Sequence, residues 1–174
     1  RVDRRQRQMC IRDRVIVTAS RAPSAGHVLP TAWSALDQTT IERIAPQHSN
    51  QVFNRIAGSW VSRGNGQESL ISLRSPVLTG AGSCGSFITA QDGISMRSPG
   101  FCNVNQLFDA NLLQAGKVEV LKGPATVVFG SNALHGIINV LTRPVSETPN
   151  QLRFEAGSRD YYRASASGAI DSLA

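Results

Sequence analysis

The sequence predicts an α+β fold, a β-sheet with short helices, followed by a few antiparallel strands of a different character. Three observations predict it. Two apolar, largely β-branched runs, Val118–Leu121 and Ile137–Leu141, are bounded by turn residues and read as short buried strands. Val52, Phe53, Ile56 and Ala57 fall at spacings that share one face of a helix. Beyond residue 150, apolar and polar residues alternate one by one, the period of a strand with one wet face.

From the N-terminus, residues 1–14 hold six Arg and two Asp without the apolar core of a secretory signal, and they read as a non-native leader outside the fold. Val15–Arg21 is a β-prone run with nothing local to pair with, followed by a flexible linker at Ala22–Gly26. Such an isolated strand, with its backbone donors and acceptors open, is suited to adding onto another protein's sheet edge. Ala32–Leu36 reads as a strand, and Thr39–Ile44 as a short helix with a Thr cap that Pro46 prevents from continuing. Ser49 starts a second helix, which Gly58 ends in a left-handed turn. Trp60–Arg63 and Ser69–Leu73 flank Gly64–Gly66 and predict a β-hairpin, because Asn-Gly accepts positive φ. Asn103 or Asn105 caps a short helix carrying Leu107 and Phe108. Small-residue loops around 79–86 and 96–105 carry Cys84 and Cys102. An oxidising compartment would close this pair into a disulfide worth about 3 kcal/mol, and a reducing one would leave free thiols.

The stretch from Val118 to Thr142 holds the two buried runs, and Gly123, Pro124, Gly130 and Gly136 punctuate it too closely for a long helix. After Arg143-Pro144 comes a polar linker. Leu152, Phe154 and Ala156 then alternate with Arg153 and Glu155, and Tyr162, Ala164, Ala166 and Ile170 with Tyr161, Arg163, Ser165 and Ser167.

Val118–Thr142, with Leu73-Arg74 after an apolar strand and the strand ending in Asp92-Gly93, resembles the plug of TonB-dependent outer-membrane receptors. The match departs at Ser75, where the family usually has Gly, at Ser95, where it usually has Pro, and at Lys122, where Arg is common. The resemblance implies a small mixed β-sheet with short helices over residues 27–145 and the first antiparallel strands of a truncated outer-membrane β-barrel over 146–174. It makes residues 15–26 a TonB-box-like segment and linker, with Val15, Ile16, Val17, Thr18, Ala19 and Ser20 meeting the energy-transducing TonB protein. It gives the loops holding Gly80, Ser83, Gly85, Arg97, Phe101 and Asn103 to the ligand, and it makes Arg74, Lys122 and Glu119 candidates for ion pairs with the barrel wall. The implied activity is energy-coupled import of a scarce small-molecule chelate such as a ferric siderophore, haem or cobalamin, across the outer membrane of a Gram-negative cell, with lipid as the barrel's other partner. The implied protein is not an enzyme and carries no resident cofactor.

Composition sets the other bounds. The chain of 174 residues has 18 basic and 12 acidic residues, a balance of +6. Four of those charges lie in residues 1–14, which lack the aromatics that stack on bases, so nucleic acid is not an expected partner. No GxSxG, HExxH or Walker-type motif is present, and His27, His48 and His135 are scattered, so neither a catalytic nor a metal site is expected. The rival reading is a soluble α/β domain that binds an anion or nucleotide through the Gly-rich connection at 122–136.

Overall fold

The computed structural model describes residues 16–17, 24–25, 32–65, 69–75, 86–96, 110–148 and 150–169. They fall into two compact units that divide between Thr142 and Arg143. Near the N-terminus, β1 (Ile16–Val17) pairs antiparallel with β2 (Ser24–Ala25), Ile16 opposite Ala25 and Val17 opposite Ser24. This corrects the expectation of an isolated strand and a flexible linker. Ser24 and Ala25, within the expected linker, supply the missing partner.

The first unit is built on a five-stranded sheet in the order β3 (Ala32–Asp37), β8 (Ala115–Lys122), β9 (Gly136–Thr142), β6 (Phe87–Gln91), β7 (Ile94–Ser95). The sheet is mixed: β6 runs parallel to β9 and every other pair is antiparallel. The central strands are buried on both faces, which is why β9 reads as a nearly continuous apolar run, while β8 buries Glu119 and Lys122 among its apolar residues. On one face Val118, Val120, Ile138, Val140 and Phe87 pack against Ile41 of α1 (Gln38–Ile44), Val52 and Phe53 of α2 (Asn50–Phe53), and Val61, Ile71 and Leu73 of the hairpin β4 (Ser59–Arg63) and β5 (Ser69–Leu73). On the other face Ile88, Ala90, Leu121 and Ile137 are covered by Ala125, Ala133 and the half-buried Phe129 of the connection that holds α3 (Thr126–Phe129).

Two helical details differ from expectation. The cap of α1 is Asp37 rather than Thr39: the Asp37 carboxylate accepts from the Thr40 amide at 2.8 Å, so the helix begins directly as β3 ends. The second helix stops at Phe53, and Asn54 is the reason. Its side chain accepts from the Val61 amide at 2.6 Å and donates to the Val61 carbonyl at 3.0 Å, so residues 54–58 follow turns that bring the carboxamide to β4. The helix expected around Leu107 and Phe108 lies outside the described residues, as does Gly66 of the hairpin turn.

The second unit is a hairpin of β10 (Gln151–Gly157) and β11 (Tyr161–Ser167), preceded by a single 3-10 turn at Val145–Glu147. Leu152, Phe154, Ala156, Tyr162, Ala164 and Ala166 share one face through the pairs 152–166, 154–164 and 156–162, and Leu152, Phe154 and Tyr162 are 73 to 78% exposed. The opposite face carries Arg153, Glu155, Tyr161 and Arg163. Glu155 meets Arg153 and Arg163, each at 3.3 Å, and accepts from the Tyr161 hydroxyl at 3.3 Å.

Candidate functional site

Among the predicted site residues, the structure brings Arg74 and Lys122 together and sets Glu119 apart. Lys122 ends β8 on the helix-covered face, opposite Ala32 of β3 and Gly136 of β9. It is 7% exposed, unusual for a lysine, and its ammonium donates to Ser34 Oγ at 2.6 Å and to the Ala57 carbonyl at 2.9 Å. Burial, aided by the nearby Arg74 guanidinium, holds the ammonium below the ordinary lysine value. Arg74 follows β5 in a left-handed conformation with φ of 50°, is exposed, and has its amide bonded to the Gly58 carbonyl at 2.9 Å. Gly58 lets the two long side chains pass: at its φ of 81° a Cβ would stand 3.1 Å from Arg74 Cγ and 3.4 Å from Lys122 Cδ. Among the described residues no carboxylate pairs with either cation. Two like charges side by side, one of them nearly dry, form a place where an anionic group from elsewhere would be stabilised.

Glu119 lies three positions before Lys122 in the same strand, and strand alternation puts it on the opposite face. There it is fully buried and bonded to the Lys117 ammonium at 2.7 Å, across the sheet from Asn139, whose carboxamide accepts from the Gly93 amide at 3.0 Å. Sequence reasoning missed Ser34, Ala57 and Gly58, the residues that receive the Lys122 side chain. Only Gly58 carried a local signal, as a helix terminator. It also missed the tie at the end of the sheet, where the Asp92 carboxylate accepts from the Thr142 amide at 2.7 Å and from the Thr142 hydroxyl at 2.6 Å.

Most amides of the Gly-rich connection are already engaged. Gly123 donates to His135, Ala125 to Ala133, Phe129 to Ala125, Gly130 to Thr126 and Ala133 to Gly130. An anion nest needs several adjacent amides pointing outward, and Pro124 has none to give. Among the described residues no group of three or more His, Cys, Asp or Glu could hold a metal ion, and no helix is long and apolar enough to cross a membrane. Of the TonB-binding candidates, Ile16 and Val17 form β1, while Val15, Thr18, Ala19 and Ser20 lie outside the described residues. Gly80, Ser83, Gly85, Arg97, Phe101, Asn103, Cys84 and Cys102 lie outside them too.

Comparison with solved structures matches the fold. The chain is similar to the ferric yersiniabactin uptake receptor from Yersinia pestis, with 23% identity and a TM-score of 0.61 over 82% of this chain and 22% of that one. It is similar to the ferripyoverdine receptor of the outer membrane of Pseudomonas aeruginosa, with 17% identity and a TM-score of 0.62 over 86% of this chain and 19% of that one. It is also similar to the alcaligin outer-membrane receptor from Bordetella pertussis, with 18% identity and a TM-score of 0.62 over 84% of this chain and 24% of that one. The chain thus spans less than a quarter of the length of each receptor it matches. The model of the TonB-dependent receptor plug domain matches residues 28–137, the stretch that holds β3, β6, β7, β8, the start of β9, both cations and Glu119. Homologues of this domain sit inside the barrel of Gram-negative outer-membrane receptors, which are transporters rather than enzymes, and the chain belongs to the TonB-dependent receptor plug domain family.

Proposed function

We propose that this chain is the plug-bearing part of an outer-membrane importer that takes up a scarce metal chelate with energy delivered by TonB. The observation that supports it most directly is the Arg74–Lys122 pair, two adjacent cations without a carboxylate among the described residues. A plug seated in a barrel would meet acidic groups of the wall there, with exposed Arg74 supplying the bidentate fork that a lysine lacks. Glu119, turned to the other face and held by Lys117, has a structural role in this reading.

Val15, Ile16, Val17, Thr18, Ala19 and Ser20 are the proposed TonB-binding segment, and the extended geometry of Ile16–Val17 suits strand addition. The loops holding Gly80, Ser83, Gly85, Arg97, Phe101 and Asn103 are the proposed floor of the ligand site, and Cys84 and Cys102 the proposed disulfide between them. In the second unit, the exposed Leu152, Phe154 and Tyr162 suit acyl chains, and the charged face suits a wet lumen. Of the three ligand classes, a ferric siderophore is preferred over haem or cobalamin, since the matched Yersinia and Pseudomonas receptors are named for iron chelates of that kind.

The test is radioiron uptake by an iron-starved Gram-negative strain that expresses the full-length receptor, with Val17→Pro as the variant. Uptake of a ferric siderophore that Val17→Pro abolishes, with binding at the cell surface retained, is the expected result. A receptor that imports equally well with the proline in place overturns the TonB-segment assignment. One that binds no ferric siderophore but binds haem or cobalamin overturns the ligand class alone.

A further inference from the structure

β3 is the strand that joins the N-terminal segment to the sheet, and it is weakly held. It lies at the sheet edge with a single ladder, to β8. None of its six residues is buried, and only Trp33 and Leu36 pack in part against the two cores. Its neighbour β8 is buried along most of its length. An edge strand with little buried apolar surface sits at the low end of local stability.

A charge-assisted side-chain bond crosses this weak seam. The Lys122 ammonium reaches from β8 to Ser34 in the middle of β3 and to the carbonyl of Ala57 at the corner before β4, tying three pieces of chain at one nitrogen. Its stem passes over Gly58, and the ammonium has two neutral dipoles and no described carboxylate to offset its charge. Hydrogen bonds to a charged group are stronger than neutral ones.

We infer that the Lys122 ammonium is a clasp that holds the N-terminal edge strand β3 to the rest of the plug sheet. With the clasp made, β3 opens only rarely. With it withdrawn, β3 leaves the sheet first, while β8, β9 and β6 stay paired through their buried faces. The inference concerns the order in which the sheet comes apart and stands whether or not the import reading holds. If that reading holds, a wall carboxylate near Arg74 would compete with Ser34 for this ammonium and loosen the strand next to the TonB-binding segment.

The test is native-state amide hydrogen exchange on the full chain in detergent, comparing wild type with Ser34→Ala, Lys122→Met and the double variant. The inference expects amides of residues 33–37 to exchange about tenfold faster in each single variant, the scale of one charge-assisted bond. It expects no further gain in the double variant, because both changes remove the same bond, and no change at residues 137–141. Unchanged exchange in β3, equal acceleration in β9, or effects that multiply in the double variant would each overturn it. Ser34→Ala leaves the buried lysine stem in place, so it reads the bond even if Lys122→Met fails to fold.

Discussion

Gly136→Ala is the sharpest perturbation of this fold. Gly136 opens β9 at φ of 138°, a backbone conformation that L side chains rarely adopt, and a Cβ built there would stand 2.0 Å from the Leu121 carbonyl oxygen and 3.0 Å from Leu73 Cδ2. Relieving the first contact means moving one of the two central strands by about 1 Å, because the neighbour is backbone and has no rotamer to yield. Overpacking of this sort costs about 1–3 kcal/mol, and holding a non-glycine residue in a forbidden region costs about 1–3 kcal/mol more. The sum, about 4 kcal/mol, is a large share of the stability of an ordinary domain. Gly130→Ala isolates the second contribution, since Gly130 has φ of 89° and nothing within 4 Å of its Cβ position. In urea unfolding of the full chain in detergent, an m-value of about 2 kcal/mol per molar would turn the Gly136 loss into a midpoint lower by about 2 M, and the Gly130 loss into about 1 M. A Gly136→Ala midpoint within 0.5 M of wild type, or no lower than that of Gly130→Ala, refutes the steric reasoning.

Three further outcomes are expected. Asp37→Ala should lower stability by about 1 kcal/mol at neutral pH through loss of the α1 cap, while Asp37→Asn retains most of it. The bonds from Thr40 hold the Asp37 carboxyl below its ordinary value of 3.8, so its contribution is fully present above that pH and fades as pH falls through the lower folded value; urea midpoints of wild type and Asp37→Ala should converge there. Phe154→Arg, on the apolar face of the second unit, should weaken insertion of the full-length receptor into lipid vesicles by about 2–4 kcal/mol if that residue sits near the bilayer midplane, read as folded fraction by gel mobility. Material from an oxidising compartment should gain two hydrogens in intact mass on reduction, and mass unchanged on reduction would remove the proposed Cys84–Cys102 bond.

Much of the architecture was legible because its strands obey simple periods. β9 stands out as an apolar run since both faces are covered, β8 by its Val118, Val120 and Leu121, and β10 and β11 as alternation since each has one exposed apolar face. The errors came where a side chain did the work of backbone. Asn54 bonds to Val61 seven residues away and cuts a helix short, and Asp37 caps α1 from inside a strand. At the site, the strand period, which separates residues an odd number apart, sets Glu119 on the face away from Lys122. The Lys122 partners were beyond sequence reasoning for a different reason. Ser34 and Ala57 lie 88 and 65 positions away and meet the ammonium only once the sheet and the corner before β4 have assembled.

The Asn54 carboxamide has one more effect. By occupying both the amide and the carbonyl of Val61, it caps the outer rim of β4 with a group that cannot propagate a ladder. A second copy of the chain, or a stray peptide, therefore finds no template at that position, and one exposed carboxamide guards the rim of the hairpin against edge-to-edge pairing.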